Sequence, residues 1–457
     1  MGSARYDVIV VGGGPAGSIA ALILARGGAR VALVDKATFP RDKACGDVVG
    51  PRALQVLVDL GLPAPAGREV GEIDVVGPTG RRVRLPCGEG LTYPGHGTAV
   101  TRTVFDEGLH SAAVEAGAIP VHGRADEPLQ AEGRIDGYRL STGAELRADF
   151  VIGADGATSR VGGAAGLVDA KRVLWGFAVR SYLPQEVELP AIVIWEPAPW
   201  HAFPGYGWVF PGASDGANVG LGLGTLADRK AAGTVQRALP RFLEHLRRVH
   251  LLGGAPTVTP SRRLGGWLKM GMVGTTPAAG RVLLVGDAAG LVNPLQGEGI
   301  SQAMTSGRSA AGAILGAPGC AAQLYRAALA SDHLPYHRMT VAAQAWLVSR
   351  PWAVAGVARL LMTVGRFDAM SGGWSVFWNE LLDGAPPNRH RRVAAAVTRS
   401  GRFMTDRSAT ARWFDAMLAK DDPLPSGSST GRGQLPQPAH PHPHPYPDPT
   451  DRRVSQF

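Results

Sequence analysis

Gly12-Gly13-Gly14-Pro15-Ala16-Gly17 stands between an apolar run, Asp7-Val8-Ile9-Val10-Val11, and a stretch that carries Ile19, Leu22 and Ile23 at helical spacing. Glycines so spaced permit a tight turn, bring backbone close to a pyrophosphate and let helix pack against strand, while the helix N-terminus favours negative charge. Asp35 closes the next apolar run, Arg30 to Asp35, where a carboxylate can accept hydrogen bonds from ribose hydroxyls. A glycine turn alone is common in α/β proteins. Strand, turn, helix and acid in that order point to a dinucleotide.

Two later segments extend the argument. Gly286-Asp287-Ala288-Ala289 follows the apolar run Arg281 to Val285, and Asn293-Pro294-Leu295-Gln296-Gly297-Glu298-Gly299-Ile300 comes next. Asp287 at a strand end can bond a ribityl or pyrophosphate group. Gly297 and Gly299 let backbone press against a flat ring system, and the helix expected from about Gly299 to Leu315 aims its positive end at the ligand. A merely structural helix start leaves the paired glycines unexplained. Phe150-Val151-Ile152-Gly153 runs into Ala154-Asp155-Gly156, which by itself is an ordinary turn. Arg102, just before a helical stretch from Val104 to Gly117, is a candidate partner for phosphate or ribose, with a simple helix-start arginine as the competing reading.

The elements that must position these residues are legible in outline. The chain opens as a βαβ unit whose helix stops at Gly27-Gly28. Short strands and glycine-rich turns occupy about 68–147, and Lys171 to Gly224 is rich in β-branched and aromatic residues such as Trp175, Phe177, Val179, Ile192, Ile194 and Trp195. The chain then returns to the nucleotide fold. The expected class is α/β: a Rossmann-like dinucleotide domain, discontinuous over 1–170 and 270–320, with part of 68–147 serving the substrate side. An inserted, mostly antiparallel sheet domain covers 171–269, a helical C-terminal region covers 321–420, and a disordered Pro/His-rich tail covers 421–457.

Composition narrows the partners. The chain has 457 residues, 45% of them hydrophobic, and a formal charge of +9, enough for more than one structural unit. The positive balance favours phosphorylated substrates, an anionic membrane or an acidic electron donor. Nucleic acid is not expected, because the arginines are scattered and no nucleic-acid module is visible. Three cysteines, Cys45, Cys87 and Cys320, are too few for a disulfide framework and place the chain in a reducing compartment, by default the cytoplasm. No secretion signal or myristoylation motif is seen at the start, and Arg350, Pro351 and Arg359 interrupt the apolar stretch from Thr340 to Val364. The last 37 residues hold nine prolines and His440-Pro441-His442-Pro443-His444, a composition that suits a solvated tail better than a metal site.

In order, the three nucleotide motifs resemble the flavoprotein fold of para-hydroxybenzoate hydroxylase type, which implies FAD. Phe39-Pro40-Arg41-Asp42-Lys43-Ala44-Cys45-Gly46-Asp47 resembles the signature loop of the geranylgeranyl reductase family, with greatest likeness to the type that acts on menaquinone side chains. Pro204-Gly205-Tyr206-Gly207-Trp208-Val209-Phe210-Pro211 is similar to that family's Pro-x-x-Tyr-x-Trp-x-Phe-Pro motif from the tyrosine onward, its proline standing one residue closer. The resemblance covers about residues 5–320. It implies saturation of carbon–carbon double bonds in an isoprenoid chain, with hydride from FAD and an outside reductant: NAD(P)H, ferredoxin or a quinol. On this reading Gly12, Gly13, Gly14, Pro15, Ala16, Gly17, Asp35, Cys45, Gly46, Asp47, Arg102, Asp155, Gly286, Asp287, Gly297, Gly299 and Ile300 hold the cofactor. Tyr206, Trp208 and Phe210 alternate along a strand, so they share a face and can wall an apolar channel, unless they are simply sheet core. Cys45 is the candidate catalytic residue, a mostly protonated thiol that positions an alkene or serves as a weak acid, with a small buried hydrophobe as the bland reading.

Flavin monooxygenases share the FAD motifs, so hydroxylation or epoxidation of an apolar substrate is the rival function, separated by its use of oxygen. Halogenases are disfavoured because no lysine lies between Lys43 and Lys171. A carrier of flavin or lipid without turnover is the non-enzyme alternative. The expected partners are an isoprenoid lipid and an electron-donor protein. The Arg-rich region with Trp346, Arg350 and Trp352 is a candidate for peripheral membrane contact, against a solvated helical face.

Overall fold

The computed structural model describes residues 4–85, 94–194, 205–213, 216–226, 232–253, 264–294, 296–338, 340–341 and 352. The first strand, Ala4–Val11, pairs in parallel with Val31–Asp35 on one side and with Glu145–Gly153 on the other. Val31–Asp35 pairs in turn with Ile119–His122, and Glu145–Gly153 with Val282–Leu284, all in parallel. Two antiparallel strands, Ala125–Ala131 and Arg134–Leu140, and the short Ala278–Ala279 bring this sheet to eight. A parallel sheet covered on both faces demands continuous apolar runs, and Val8, Ile9 and Val10 are fully buried. Burying one such side chain stabilises the fold by ~1.5–3 kcal/mol.

Helix α1 (Pro15–Arg26) ends at Gly27 and turns through Gly28 at φ +84°. Helices α2 (Pro51–Asp59) and α3 (Arg102–Glu115) follow, then a five-residue turn of helix, α4 (Arg160–Ala164). Helix α5 (Ala232–Arg248) carries Pro240, α6 spans Ile300–Gly316, and α7 spans Ala321–Asp332. Small residues decide how α1 and α6 meet. A Cβ on Gly307 would stand 2.3 Å from the Ala16 carbonyl oxygen, so α6 rests against the first turn of α1. A Cβ on Gly286 would lie 3.2 Å from the Ala16 Cβ. The first and second glycine motifs, 270 residues apart in sequence, therefore meet at Ala16.

The second sheet has seven strands, in the order Leu264–Met270, Leu174–Leu183, Ala217–Leu226, Gly205–Pro211, Ala191–Val193, Ile73–Val76 and Arg82–Leu85. Its pairings are antiparallel except for one parallel joint between Ala191–Val193 and Ile73–Val76. Two of its strands thus come from the segment around 68–147, before Glu145–Gly153 of the first sheet has been laid down. A three-stranded ribbon, Val48–Val49, Gly97–Ala99 and Arg68–Val70, lies beside it in sequence. Helix α5 covers one face of the seven-stranded sheet: Phe242 and Leu246 are fully buried there, and a Cβ on Gly207 would stand 1.9 Å from the Phe242 ring. The helical reading of 321–420 reaches α7; most of that region, with Trp346 and Arg350, lies outside the described residues, as do Cys87, Trp195, Pro204 and the tail 421–457. Among the described residues no helix is long and apolar enough to cross a membrane.

Gly12 and Gly28 both sit at positive φ, but only Gly12 is crowded: its Cβ would stand 2.2 Å from the Ala154 carbonyl oxygen, whereas nothing lies within 4 Å of one on Gly28. Gly28→Ala should therefore cost only the left-handed backbone penalty, about 1–2 kcal/mol. Gly12→Ala should cost several-fold more, because backbone must move as well. Urea unfolding of the two variants beside the parent measures the difference; equal losses would mean the contact with Ala154 is not limiting.

Candidate active site

The nucleotide end is built from backbone. Gly12 takes φ +111° and lies against the Ala154 carbonyl, where a side chain would collide, as the chain turns into α1. Asp35 Oδ2 accepts a hydrogen bond from the Gly13 N–H at 2.7 Å, and Oδ1 accepts one from the Ala37 N–H at 2.8 Å. The acid at the end of its strand thus braces the glycine turn directly. Gly14 is the residue before α1 and provides no side chain to cap it. The first-turn N–H groups and the helix dipole favour negative charge at this end.

At the other end, Gly286 donates its N–H to Ser306 Oγ at 2.9 Å, fixing the Gly-Asp turn on α6. A Cβ on Gly299 would stand 3.5 Å from Asp287 Oδ1, so the carboxylate faces the N-terminus of α6, whose first residue is Ile300. Gly297 takes φ +70° and donates its N–H to the Asn293 carbonyl at 2.9 Å; a Cβ there would lie 3.4 Å from the Tyr206 hydroxyl. The turn that leads into α6 therefore faces the aromatic strand of the second sheet.

Residues 39–47 thread between these ends, touching each in turn. Phe39 stacks on His110 of α3, ring centroids 4.3 Å apart, and both line the space beside Gly13. Arg41 binds Asp106 of α3 at 3.0 Å, and its Nη2 lies 3.2 Å from the place a Gly14 Cβ would occupy. Asp42 accepts from Arg180 Nη2 at 2.5 and 2.6 Å, and Lys43 lies 3.3 Å from Asp287. Gly46 meets Phe210, whose ring would stand 2.8 Å from a Cβ there. Asp47, at φ +61°, accepts from the Tyr182 hydroxyl and from Asn218 Nδ2, while Asn218 Oδ1 accepts from Trp208 Nε1 at 2.9 Å.

Cys45 is half-buried beside the Arg102 guanidinium, and its carbonyl accepts from Asn218 Nδ2 at 2.9 Å. Burial pushes the thiol up, partly offset by the positive charge of Arg102, so it stays protonated at neutral pH. Arg102 is itself buried. Burial disfavours its charge, but Asp106, with Nε and Nη2 each 2.7 Å from a carboxylate oxygen, and Cys45 outweigh that and keep it firmly cationic. Two of the nitrogens offered for a phosphate in the sequence reading are thus engaged inside the protein.

Tyr206, Trp208 and Phe210 share one face of Gly205–Pro211, with successive ring centroids 6.3 Å apart. They pack with Ile73, Leu85 and Ile192, and a Cβ on Gly220 would lie 2.0 Å from the Trp208 ring, so a glycine opposite makes room for the indole. Burial pushes the Tyr206 phenol up, and the nearby Cys45 and Glu298 add to that. Asp155 is turned inward: Oδ1 accepts from Ser159 Oγ, and Oδ2 accepts from the N–H groups of Arg160 and Val161 at 2.7 and 3.1 Å, which caps α4.

Sequence reasoning missed several of these residues. Arg41, Asp42 and Lys43 lie inside the signature loop but were given no role. Arg180 and Tyr182 stand two apart on Leu174–Leu183, a period-2 signal that would have placed them on one face. Lys269 is fully buried behind the Gly-Asp turn, its Cγ 3.5 Å from the place of a Gly290 Cβ, and its Nζ has no hydrogen-bond partner among the described residues. Burial pulls it down to about 8 against the fields of Asp155 and Asp287.

Comparison with known proteins agrees with this geometry. Residues 5–315 match the family model described as FAD binding domain. The chain is 36% identical over 316 residues to the menaquinone reductase of Mycolicibacterium smegmatis, covering 67% of this chain and 76% of that one. It is 35% identical over 315 residues to digeranylgeranylglycerophospholipid reductase 2 of Methanopyrus kandleri, covering 67% and 76%. Among solved structures, a geranylgeranyl bacteriochlorophyll reductase-like protein of Thermoplasma acidophilum superposes with a TM-score of 0.66 at 22% identity, over 91% of this chain and all of that one.

Burial pushes the Asp47 carboxyl up, despite its hydrogen bonds from Tyr182 and Asn218. With its native pKa above its unfolded value of about 4, the native state holds the proton longer, so stability falls as pH rises through that window. Asp47→Asn should remove this loss, and its stability relative to the parent should therefore climb between pH 4 and the native titration. Unfolding midpoints of both proteins across pH 4–7 test this; a constant difference would show that Asp47 does not titrate there.

Proposed function

Because the chain belongs to the geranylgeranyl reductase family of FAD-binding oxidoreductases, we propose that it saturates carbon–carbon double bonds of an isoprenoid chain, on a geranylgeranyl lipid or a menaquinone. The observation that carries the proposal is the path of residues 39–47, which ties both cofactor-side turns to the aromatic strand and sets Cys45 and Gly46 between them. Bound FAD supplies the hydride. The residues present fit that cofactor: an uncapped α1 N-terminus beside Gly12 to Gly17 for the pyrophosphate, with Asp35 bracing it at the ribose end. Asp287 serves the ribityl region, and Gly297, Gly299 and Ile300 offer a side-chain-free surface for the ring.

The protein's own tasks follow from its walls. Tyr206, Trp208 and Phe210 hold an extended apolar chain against the loop and keep water from it. Cys45 and Gly46, small and placed where the loop meets Phe210, set how closely an alkene approaches the ring. In this reading 1–170 and 270–320 form the cofactor domain, with Arg102 and Asp155 as inner supports. Residues 171–269, joined by the strands at 73–85, form the substrate domain, and 321–420 a helical region. The two named relatives act on isoprenoid substrates by their names, which supports the class and leaves chain length and head group open. NAD(P)H, ferredoxin or a quinol recharges the flavin. A lipid substrate also calls for peripheral membrane contact, in keeping with the positive charge of the chain.

Photoreduced enzyme incubated anaerobically with geranylgeranyl lipids and with menaquinone should oxidise its flavin and give products heavier by two hydrogens. Oxygen-dependent hydroxylation or epoxidation, with no saturation in its absence, would favour the monooxygenase reading. Cys45→Ala should slow saturation at least ten-fold while leaving photoreduction and FAD affinity unchanged. Equal loss of FAD in that variant would make the loop a structural support only.

A further inference from the structure

Saturating an alkene needs a proton as well as a hydride, and three protic side chains surround the meeting of the Gly297 turn with the aromatic strand: Cys45, Tyr206 and Glu298. Thiol and phenol are both pushed above their ordinary values, which are already far above that of a carboxylic acid. Glu298 stands between the two glycines of the flavin-side turn. Its Oε1 accepts the Ser301 N–H at 2.8 Å in the first turn of α6, and its Oε2 is buried with no hydrogen-bond partner among the described residues.

A polar cluster lies beneath it, where an apolar core would be the cheaper choice. Arg52 of α2, Gln302 of α6, and His333 and His337 just beyond α7 are all nearly inaccessible to solvent, and the two histidine rings are 6.0 Å apart. Asn293 Nδ2 bonds the Tyr336 hydroxyl at 3.3 Å. Among the described residues, Gln296 Nε2, Glu298 Oε2, Gln302 Oε1 and His337 Nδ1 all lack partners. Buried polar groups are otherwise paired, so unmatched atoms such as Glu298 Oε2 and Gln302 Oε1 are in keeping with ordered water at this place.

We propose that Glu298 is the acid of the reaction, delivering its proton to the alkene carbon opposite the one that takes the hydride. The proposal rests on the reductase reading. Reduced FAD, when bound, would supply the hydride and its electron pair for one C–H bond; the π pair of the alkene forms the other with the Glu298 proton, leaving a carboxylate. Burial favours the protonated acid before reaction. The charged and titratable groups that bear on it are Arg52, which opposes protonation, and Tyr206 and Tyr336, whose phenols stay neutral. The carboxylate left behind is met by Arg52 and by the N-terminus of α6.

Glu298→Gln keeps the acceptor for Ser301 but has no proton to give. In single-turnover mixing of photoreduced enzyme with lipid, it should slow alkene saturation ~100-fold or more, with FAD affinity and the flavin spectrum unchanged, and Glu298→Asp should recover part of the rate. Difference infrared spectra of the oxidised proteins should show the carbonyl stretch of a protonated carboxyl in the parent and in Glu298→Asp, absent in Glu298→Gln, and its titration should follow the pH profile of saturation. A parent that saturates alkenes while Glu298→Gln keeps pace within two-fold, or a parent without that band, overturns the assignment. A parent that saturates no isoprenoid alkene overturns the function itself, whatever the band shows.

Discussion

One constraint organises the molecule: residues 39–47 must satisfy two sheets at once. Arg41 is held by Asp106 on α3, Lys43 by Asp287 on the Gly-Asp turn, Asp42 by Arg180, and Asp47 by Tyr182 and Asn218 on the second sheet. Single surface ion pairs contribute about 1 kcal/mol or less, but these are distributed along one strap and several are shielded from water. Arg102 and Asp106 are the inner anchor. Neither is tolerable alone in the interior, and together with Arg41 and the Cys45 thiol they form a compensated group. The strap therefore fixes the glycine turns of the first sheet against the aromatic strand of the second.

Glycine does the complementary work. Gly12 lets the first turn lie against Ala154, Gly307 lets α6 reach Ala16, and Gly46 and Gly220 leave space for the rings of Phe210 and Trp208. At each of these places the missing Cβ permits a contact between elements that are distant in sequence. On the second sheet the alternation of sides separates two tasks. Gly207 faces α5, whose Phe242 closes the hydrophobic core of that layer, while Tyr206, Trp208 and Phe210 face the strap.

What could be read in the sequence divides along the same lines. The βαβ opening, the return to the first sheet at Val282–Leu284 and the α6 helix were legible because buried parallel strands leave continuous apolar runs and glycine turns leave fixed spacings. The shared face of Tyr206, Trp208 and Phe210 followed from the two-residue period of a strand. The use of Ile73–Val76 and Arg82–Leu85 in the second sheet was legible only as a general contribution of 68–147, because pairing between distant strands has no local signature. The same holds for side-chain partners. Arg102 was visible as an arginine at a helix start, but Asp106 one turn later and Cys45 from another loop decide what it binds. Lys269 left no trace at all, since an isolated lysine in a strand reads as an exposed one.

Gly297 turns toward the second sheet at the point where the Tyr206 hydroxyl comes nearest. Under the proposed function, a passage between cofactor and lipid at this place is bounded by a hydrogen atom on one side and a phenol on the other. On that reading a chain of methyl-branched units passes this gauge, and branch spacing and double-bond geometry are read there by shape. Selection among isoprenoids would then act through calibre, and a lineage could shift from one lipid to another by trimming or thickening that single throat while its redox machinery stays untouched.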